Sequence, residues 1–319
     1  MMTLAEIRLK QNPVLTNLLL SLKQSGFIAE RLMPRLPQAL RGMTLAKLGN
    51  ERLRQYDLRR APGAATKRVD IRYNGQTYTV NQYSVEVPIP RELIQESEAA
   101  QKISIVANLD VSRIAMTTAN DILALDYEIE VAALANDPAS YAAGNVLALS
   151  GATQWSAAIG EPVTDIRNAS NAIRAATGVR PNTLELSYVA WRALEVNPQV
   201  KSYLPDSVLG PATLDQLKTI LDVSEIIIGD AIRLDDADVA HDVWGNNAVL
   251  AYVPSLGGAN GDVSLAQPAF GFTSVLEGNP FAEAPYYEAN LKSWVYGATY
   301  ERQPHIAYNT AGFLFQNAA

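Results

Sequence analysis

Residues 110–137 form the one segment whose shape is dictated by its own spacing. Val111, Ile114, Ala115, Thr118, Ile122, Leu125, Ile129, Ala132 and Ala133 recur three and four apart, which places them on one helical face with Asp126, Glu128 and Glu130 largely off it. Asp110 can cap the start, and Asp137-Pro138 stops the helix because the residue before proline is driven out of the helical region. At ~1.5 Å per residue this rod is about 40 Å long, well beyond an average helix of about 11 to 12 residues. It either forms a structural spine or runs through a buried core, and periodicity alone is compatible with both.

The remaining chain must then be organised around a rod. A length of 319 residues is too great for one small core, and 48% apolar with 18% charged residues supplies ample material for burial. Residues 3–24 are compatible with a helix broken by Pro13, and Pro34 and Pro37 make the following arm extended or irregular. Val69, Ile71 and Tyr73 alternate with Asp70 and Arg72, Asn74-Gly75 supplies a two-residue turn, and Tyr78 and Val80 alternate with Thr77 and Thr79: a hairpin. Ala61-Pro62-Gly63 is a second place where its tip can lie. So few large apolar residues accompany this hairpin that it must pack on another element or another subunit.

Further along, Thr164 or Asp165 caps a helix with Ile166, Ala169, Ile173 and Ala176 inward, closed by Gly178. A strand over 183–186 follows, then a helix capped by Ser187 and ending before Asn197-Pro198, then buried strands at 226–228 and 248–253. Strands and helices therefore alternate from about 179 to 254, an α/β or α+β unit. Residues 270–314 are strand-rich, including an alternating run at Tyr287, Ala289 and Leu291, and the long helix is their expected partner.

Charge divides the chain more sharply than the total of −7 suggests. Residues 1–72 hold 14 Lys or Arg against 5 Asp or Glu, a net of +9, and the remainder carries −16. The basic segment is either a solvated arm or a surface that lies on something anionic, whether the acidic part of a neighbouring copy or polyphosphate. No stretch reaches the ~20 apolar residues that span a bilayer, and no export signal is evident, so cytoplasmic synthesis is expected.

Little is available for catalysis. With no Cys, thiolate metal sites and Cys nucleophiles are excluded, and only His241 and His305 offer imidazoles. The nucleophile elbow, the phosphate loop, the dinucleotide fingerprint and the His-Glu-x-x-His pair are absent from the sequence. The glycine-rich run at 257–262 reads as a surface loop. Asp235, Asp236, Asp238, His241 and Asp242 lack the glycine and terminal Glu of a calcium loop and read as a solvated acidic turn. Trp155, Trp191, Trp244 and Trp294 are expected to anchor packing. No catalytic, metal or cofactor site is expected.

An ordered set of short motifs carries a resemblance. Trp155-Ser156, Pro162-Val163-Thr164-Asp165-Ile166, Thr177-Gly178-Val179-Arg180-Pro181-Asn182, Trp191-Arg192-Ala193-Leu194 and Asn197-Pro198 are followed by Leu214-Asp215-Gln216-Leu217 and Ile226-Ile227-Ile228-Gly229-Asp230-Ala231. Val249-Leu250-Ala251-Tyr252 and Pro268-Ala269-Phe270-Gly271 continue the order, and Phe27-Ile28-Ala29-Glu30 and Arg59-Arg60-Ala61-Pro62-Gly63 precede it. The set resembles the major capsid proteins of tailed phages, which share the Hong Kong 97 type fold. The resemblance implies an α+β chain with an N-terminal arm at residues 1–48 and an extended β-hairpin loop at 49–90. It implies a peripheral domain at 91–178 and 261–319 with a spine helix at about 110–136, and an axial domain at 179–260.

The implied function is a non-enzymatic shell protein that self-assembles as pentamers and hexamers into an icosahedral head around double-stranded DNA. The alternative is an encapsulin-type compartment enclosing a cargo enzyme; a hydrolase using His241 is a third, weaker reading. Arg59, Arg60, Lys67, Arg68 and Arg72 are the expected inter-subunit contacts. No coiled-coil scaffold precedes Pro34, so the resemblance implies either a separate scaffolding protein or a fused scaffold that has been removed, with a portal, optional decoration proteins and non-specifically held DNA as further partners and no membrane.

Overall fold

A computed structural model describes residues 26–48, 50–63, 65–69, 73–103, 111–205, 210–254 and 268–319. The sequence expectations for 3–24, for Asp110, for Arg72 and for the glycine-rich run lie outside the described residues. In chain order, helix α1 (Ala29–Leu32) leads to strands β1 (Arg35–Gln38), β2 (Gly42–Leu48), β3 (Tyr73–Thr79) and β4 (Asn81–Pro90), then to helices α2 (Arg91–Ile103) and α3 (Val111–Asn136). Strand β5 (Val146–Ala148), helix α4 (Pro162–Thr177), strand β6 (Thr183–Ser187) and helices α5 (Tyr188–Val196), α6 (Pro198–Lys201) and α7 (Leu214–Leu221) follow. Strands β7 (Glu225–Gly229), β8 (Ile232–Leu234), β9 (Ala240–Asp242), β10 (Ala248–Ala251), β11 (Gly271–Leu276), β12 (Phe281–Ala282), β13 (Tyr286–Glu288), β14 (Ser293–Ile306) and β15 (Gly312–Gln316) complete the chain.

Two sheets and one rod organise these elements. A six-stranded sheet is centred on β14, which pairs with β4 from Asn81↔Arg302 to Pro90↔Ser293 and with β11 over its second half. A five-stranded sheet runs β5-β15-β10-β6-β7. Helix α3 crosses both. Its first half packs Ala115, Met116, Ala119 and Leu123 on Val275, Tyr296, Ala298 and Tyr300 of the six-stranded sheet. Its second half packs Tyr127, Val131, Ala132 and Ala135 with Ile227, Val249 and Leu314 of the five-stranded sheet. The strand-rich C-terminal region thus has the long helix as its partner, and a single rod ties the two sheets together.

The burial face of that rod is rotated from the expected one. Ile114 and Ile122 are each 48% exposed, while Met116, Leu123, Tyr127 and Glu128 are buried. Apolar residues nearly encircle the helix, so spacing alone leaves its rotation open, and contact with the sheets selects the side.

Sheets and cores also draw together elements from segments that the resemblance implies are separate. β5, α4 and β15, assigned to the peripheral domain, share a sheet or core with β6, β7 and β10: Val163, Ile166, Ala169 and Ile173 of α4 pack with Leu184, Leu186, Leu250 and Phe315. β4, assigned to the hairpin loop, lies in the six-stranded sheet, and the hairpin begins in the arm at Gly42. These pairings join residues far apart in the chain and leave no local mark.

Asn74-Gly75 is not a turn: both residues lie inside β3, paired with Lys47 and Ala46 of β2. The seven-residue register with β2 overrides the two-residue signal, and the chain turns at Pro62-Gly63, where Gly63 has φ +83°. At 289–292 the alternating run is also broken, since β13 ends at Glu288 and a turn with Lys292 at φ +48° leads into β14. Helix α4 starts at Pro162, two residues before the expected cap, because proline at the first helical position supplies a preset φ and needs no N–H partner. Its end is as expected: Gly178 takes φ +75° and returns its N–H to Arg174. Ser187 accepts from the Ala190 amide at the start of α5. Trp155 and Trp244 are fully buried, whereas Trp294 is 39% exposed and anchors nothing central.

One buried residue works against the fold. Glu185 on β6 is 1% exposed, and neither carboxylate oxygen has a hydrogen-bond partner among the described residues. Burial pushes its pKa well above the usual carboxylate range, the neighbouring Glu128 raises it further, and the Val249 amide opposes this without reaching hydrogen-bond geometry. The folded form therefore holds a proton that the unfolded chain releases near pH 4.5. Stability is fully present below that pH and falls as pH rises, by about 1.4 kcal/mol per unit until the folded group also ionises. Glu185→Gln is expected to melt higher than the parent at neutral pH and to converge with it near pH 4.5; equal melting temperatures across that range would show that Glu185 does not contribute to this dependence.

Candidate functional site

The described residues hold no group of three or more His, Cys, Asp or Glu placed to bind a metal ion. His305 on β14 is half-buried against Tyr78 and Phe272, with ring centroids 4.4 and 5.9 Å away, and desolvation lowers its pKa to about 4. It is a neutral packing ring at neutral pH. His241 pairs with Asp235 at 2.9 Å on the exposed β8–β9 hairpin, and Asp235 also accepts from the Ala237 and Val239 amides. The acidic cluster is thus a turn that ties its own backbone, and its carboxyl is held below the usual range by His241 and these amides.

What the fold does present is a long excursion with no interior. β2 and β3 leave the body together and are joined by residues 49–72. The base is fixed: Tyr78 packs with Leu36, Phe272 and Ala307. Beyond it, Leu53 reaches back against Gly178 at the end of α4, whereas Leu58 is 72% exposed and Val69 is exposed too, beside Arg59, Arg60, Lys67 and Arg68. The geometry brings these four basic side chains onto one loop, and none makes an ion pair with a described residue. Arg60 donates to Thr66 Oγ1 at 3.3 Å and the Arg59 amide to Asp57, so the loop is braced from within. Apolar and cationic side chains held out together have every reason to seek an outside partner.

A second feature is the joint between the arm and the rod, which sequence reasoning missed. Glu128 of α3 is fully buried and accepts from the Ile28 amide at 3.0 Å, the Ala29 amide at 2.9 Å and Trp244 Nε1 at 2.7 Å. Its carboxylate caps α1 and clamps the arm and the β9–β10 connection to the middle of the rod. Burial pushes the Glu128 pKa up and these hydrogen bonds oppose that shift. The polar residue off the expected face gave no signal, because its partners lie about a hundred residues away in either direction.

Comparison with known proteins gives this architecture its context. No family model matches the chain. The major capsid protein of Burkholderia phage BcepMu is 33% identical over 95% of both chains. The chain belongs to the phage major capsid proteins. A phage-related protein from Bordetella bronchiseptica RB50 matches this capsid protein with a TM-score of 0.78 and 34% identity over 97% of each chain. The capsid of cyanophage P-SCSP1u shares the fold at a TM-score of 0.57 and 10% identity, covering 93% of this chain and 89% of that one. An encapsulin of Synechococcus elongatus does so at 0.55 and 11%, covering 99% and 95%. The fold is the Hong Kong 97 type, α+β, with sheets and rod in the arrangement described above.

Proposed function

We propose that the capsid protein builds the head of a tailed phage by self-association, as pentamers and hexamers closing into an icosahedral shell around double-stranded DNA, with no catalytic step. The observation that carries this is the connection between β2 and β3, whose described residues 50–63 and 65–69 hold exposed apolar and basic side chains without an interior of their own. In this reading the six-stranded sheet with α3 is the peripheral domain and the five-stranded sheet the axial domain. The loop of one copy lies on the acidic body of the next, a heterologous contact that generates rings. A separate scaffolding protein, a portal and decoration proteins are its expected partners, with assembly in the host cytoplasm.

The test is particle formation. Sedimentation and negative-stain imaging of the protein with its scaffold should show closed shells or capsomers, and a monomer under all conditions would refute the proposal. Nucleic acid inside the particles supports a virion, whereas protein cargo without DNA supports an encapsulin-type compartment. Each exposed ion pair contributes only about 0 to 1 kcal/mol, but a shell repeats it in every subunit. Arg59→Glu with Arg60→Glu is therefore expected to reduce shell yield severalfold while leaving the monomer's melting temperature unchanged. Undiminished yield on sedimentation would remove these arginines from the contact.

A further inference from the structure

We infer that a cleft beside helix α4 is a binding site for phosphate groups. Arg167, Ser170, Asn171 and Arg174 stand at positions i, i+3, i+4 and i+7 of α4 and so share one face. With Arg180 and Asp222 they line a cleft of about 390 Å³. Arg180 is brought round by the left-handed turn at Gly178, and Asp222 by its own left-handed position, φ 55°, at the end of α7. Two guanidinium groups from one face of α4 and a third from the turn that follows it thus line one cleft in a part of the chain that is otherwise acidic.

The charges in the cleft do not balance. Arg180 pairs with Asp222 at 3.1 Å, with both side chains open to solvent. Arg167 has no carboxylate partner among the described residues; it donates to Tyr203 Oη at 3.3 Å and to the Ile220 carbonyl at 3.5 Å, and its guanidinium lies 5.1 Å from the Tyr203 ring centroid. Those interactions hold the fork in place without neutralising it. Arg174 makes no ion pair with a described residue. Two positive charges are left over, beside the hydroxyl of Ser170 and the amide of Asn171, which add neutral donors.

This donor set suits phosphate better than carboxylate. One planar fork satisfies a carboxylate, whereas several forks lining one cleft can share the oxygens of a tetrahedral anion. The helix dipole at the C-terminal end of α4 accounts for Arg174 in the last turn, but not for Arg167 two turns earlier or for Arg180 beyond the helix. In the head the bearer of such a phosphate is the backbone of the enclosed duplex. That choice of bearer rests on the function proposed above, while the cleft's affinity for phosphate does not.

The full-length protein tests both. Fluorescence anisotropy with a short labelled duplex, at low and at physiological salt, is compared between the parent and the triple variant Arg167→Gln, Arg174→Gln, Arg180→Gln. Affinity is expected to fall about tenfold or more at low salt, and the slope of log affinity on log salt to shrink by about 0.9 for each phosphate that is no longer neutralised. Ser170→Asp, which places a carboxylate in the cleft from a half-exposed helical position, should have the same direction of effect and guards against misfolding of the triple variant. Unchanged duplex affinity in both variants, with no difference in the melting temperature gained on adding inorganic phosphate, would overturn the inference. Phosphate protection that the variants lose, with duplex affinity intact, would keep the phosphate site and overturn DNA as its bearer. Shell yield is read on the same preparations, so a failure of assembly is seen separately from a failure of the cleft.

Discussion

Glu128→Ala is expected to lower the stability of the capsid protein by about 3 to 5 kcal/mol and to release the arm from the rod. The side chain satisfies three donors that are all buried: the amides of Ile28 and Ala29 and the indole N–H of Trp244. Removing it leaves each without a partner at about 1 to 3 kcal/mol apiece, offset in part by no longer burying a carboxylate. Glu128→Gln should lose less, because one oxygen still accepts while its NH₂ group now faces donors. Urea unfolding measures the total, and hydrogen exchange locates it, since the Ile28 and Ala29 amides should lose protection well before those of β14. A midpoint within about 1 kcal/mol of the parent would mean that the clamp contributes little. The same variant should assemble poorly, because an arm no longer fixed to its own subunit cannot be presented to the next in one geometry.

This clamp marks where sequence reading stops. The rod was legible because helical spacing is local, and so were the Gly178 end of α4, the Ser187 cap and the inward strand at 226–228. The rotation of the rod was not, since Ile114 and Ile122 are as apolar as Met116 and Leu123 and only the sheets decide between them. Asn74-Gly75 favours a turn in isolation and becomes strand because β2 offers it a full ladder. The basic loop was legible as an excursion without a core, but not its root in the arm at Gly42. Glu128 could not be read at all, because its partners lie about a hundred residues away, and of the α4 cleft only the shared helical face of Arg167, Ser170, Asn171 and Arg174 is local, while Asp222 joins it from the end of α7. Local propensity thus reveals the elements, while distant pairing fixes their faces and their polar joints.

Arg302 carries the other large effect. It lies on β14 where β4, β11 and α3 meet, and it is fully buried. Its guanidinium reaches Asp126 at 2.8 Å and Glu130 at 3.6 Å on the rod, and it sits within 4.1 Å of the Tyr83 ring centroid, 5.0 Å of Tyr127 and 5.1 Å of Tyr300. Nε and Nη1 have no hydrogen-bond partner among the described residues and lie under these rings, so cation–π attraction stands where hydrogen bonds are missing. Arg302→Ala leaves a void among three tyrosines and two carboxylates without their counter-charge, an expected loss of about 3 to 5 kcal/mol. Arg302→Met refills the void but not the charge and should recover part of the loss.

The pH dependence separates these two components. Burial raises the Glu130 pKa and Arg302 is the first influence opposing it, so removing Arg302 lets that pKa rise further. A carboxyl raised in the folded state loses stability as pH increases. The deficit of Arg302→Met should therefore be smallest below about pH 4.5, where Glu130 is protonated in folded and unfolded chains alike, widen as pH rises through the raised folded-state pKa values, and then level off. Adding Glu130→Gln should flatten that widening. A deficit of the same size at every pH, with no coupling to Glu130→Gln, would assign the role of Arg302 to packing under the tyrosines and not to its charge.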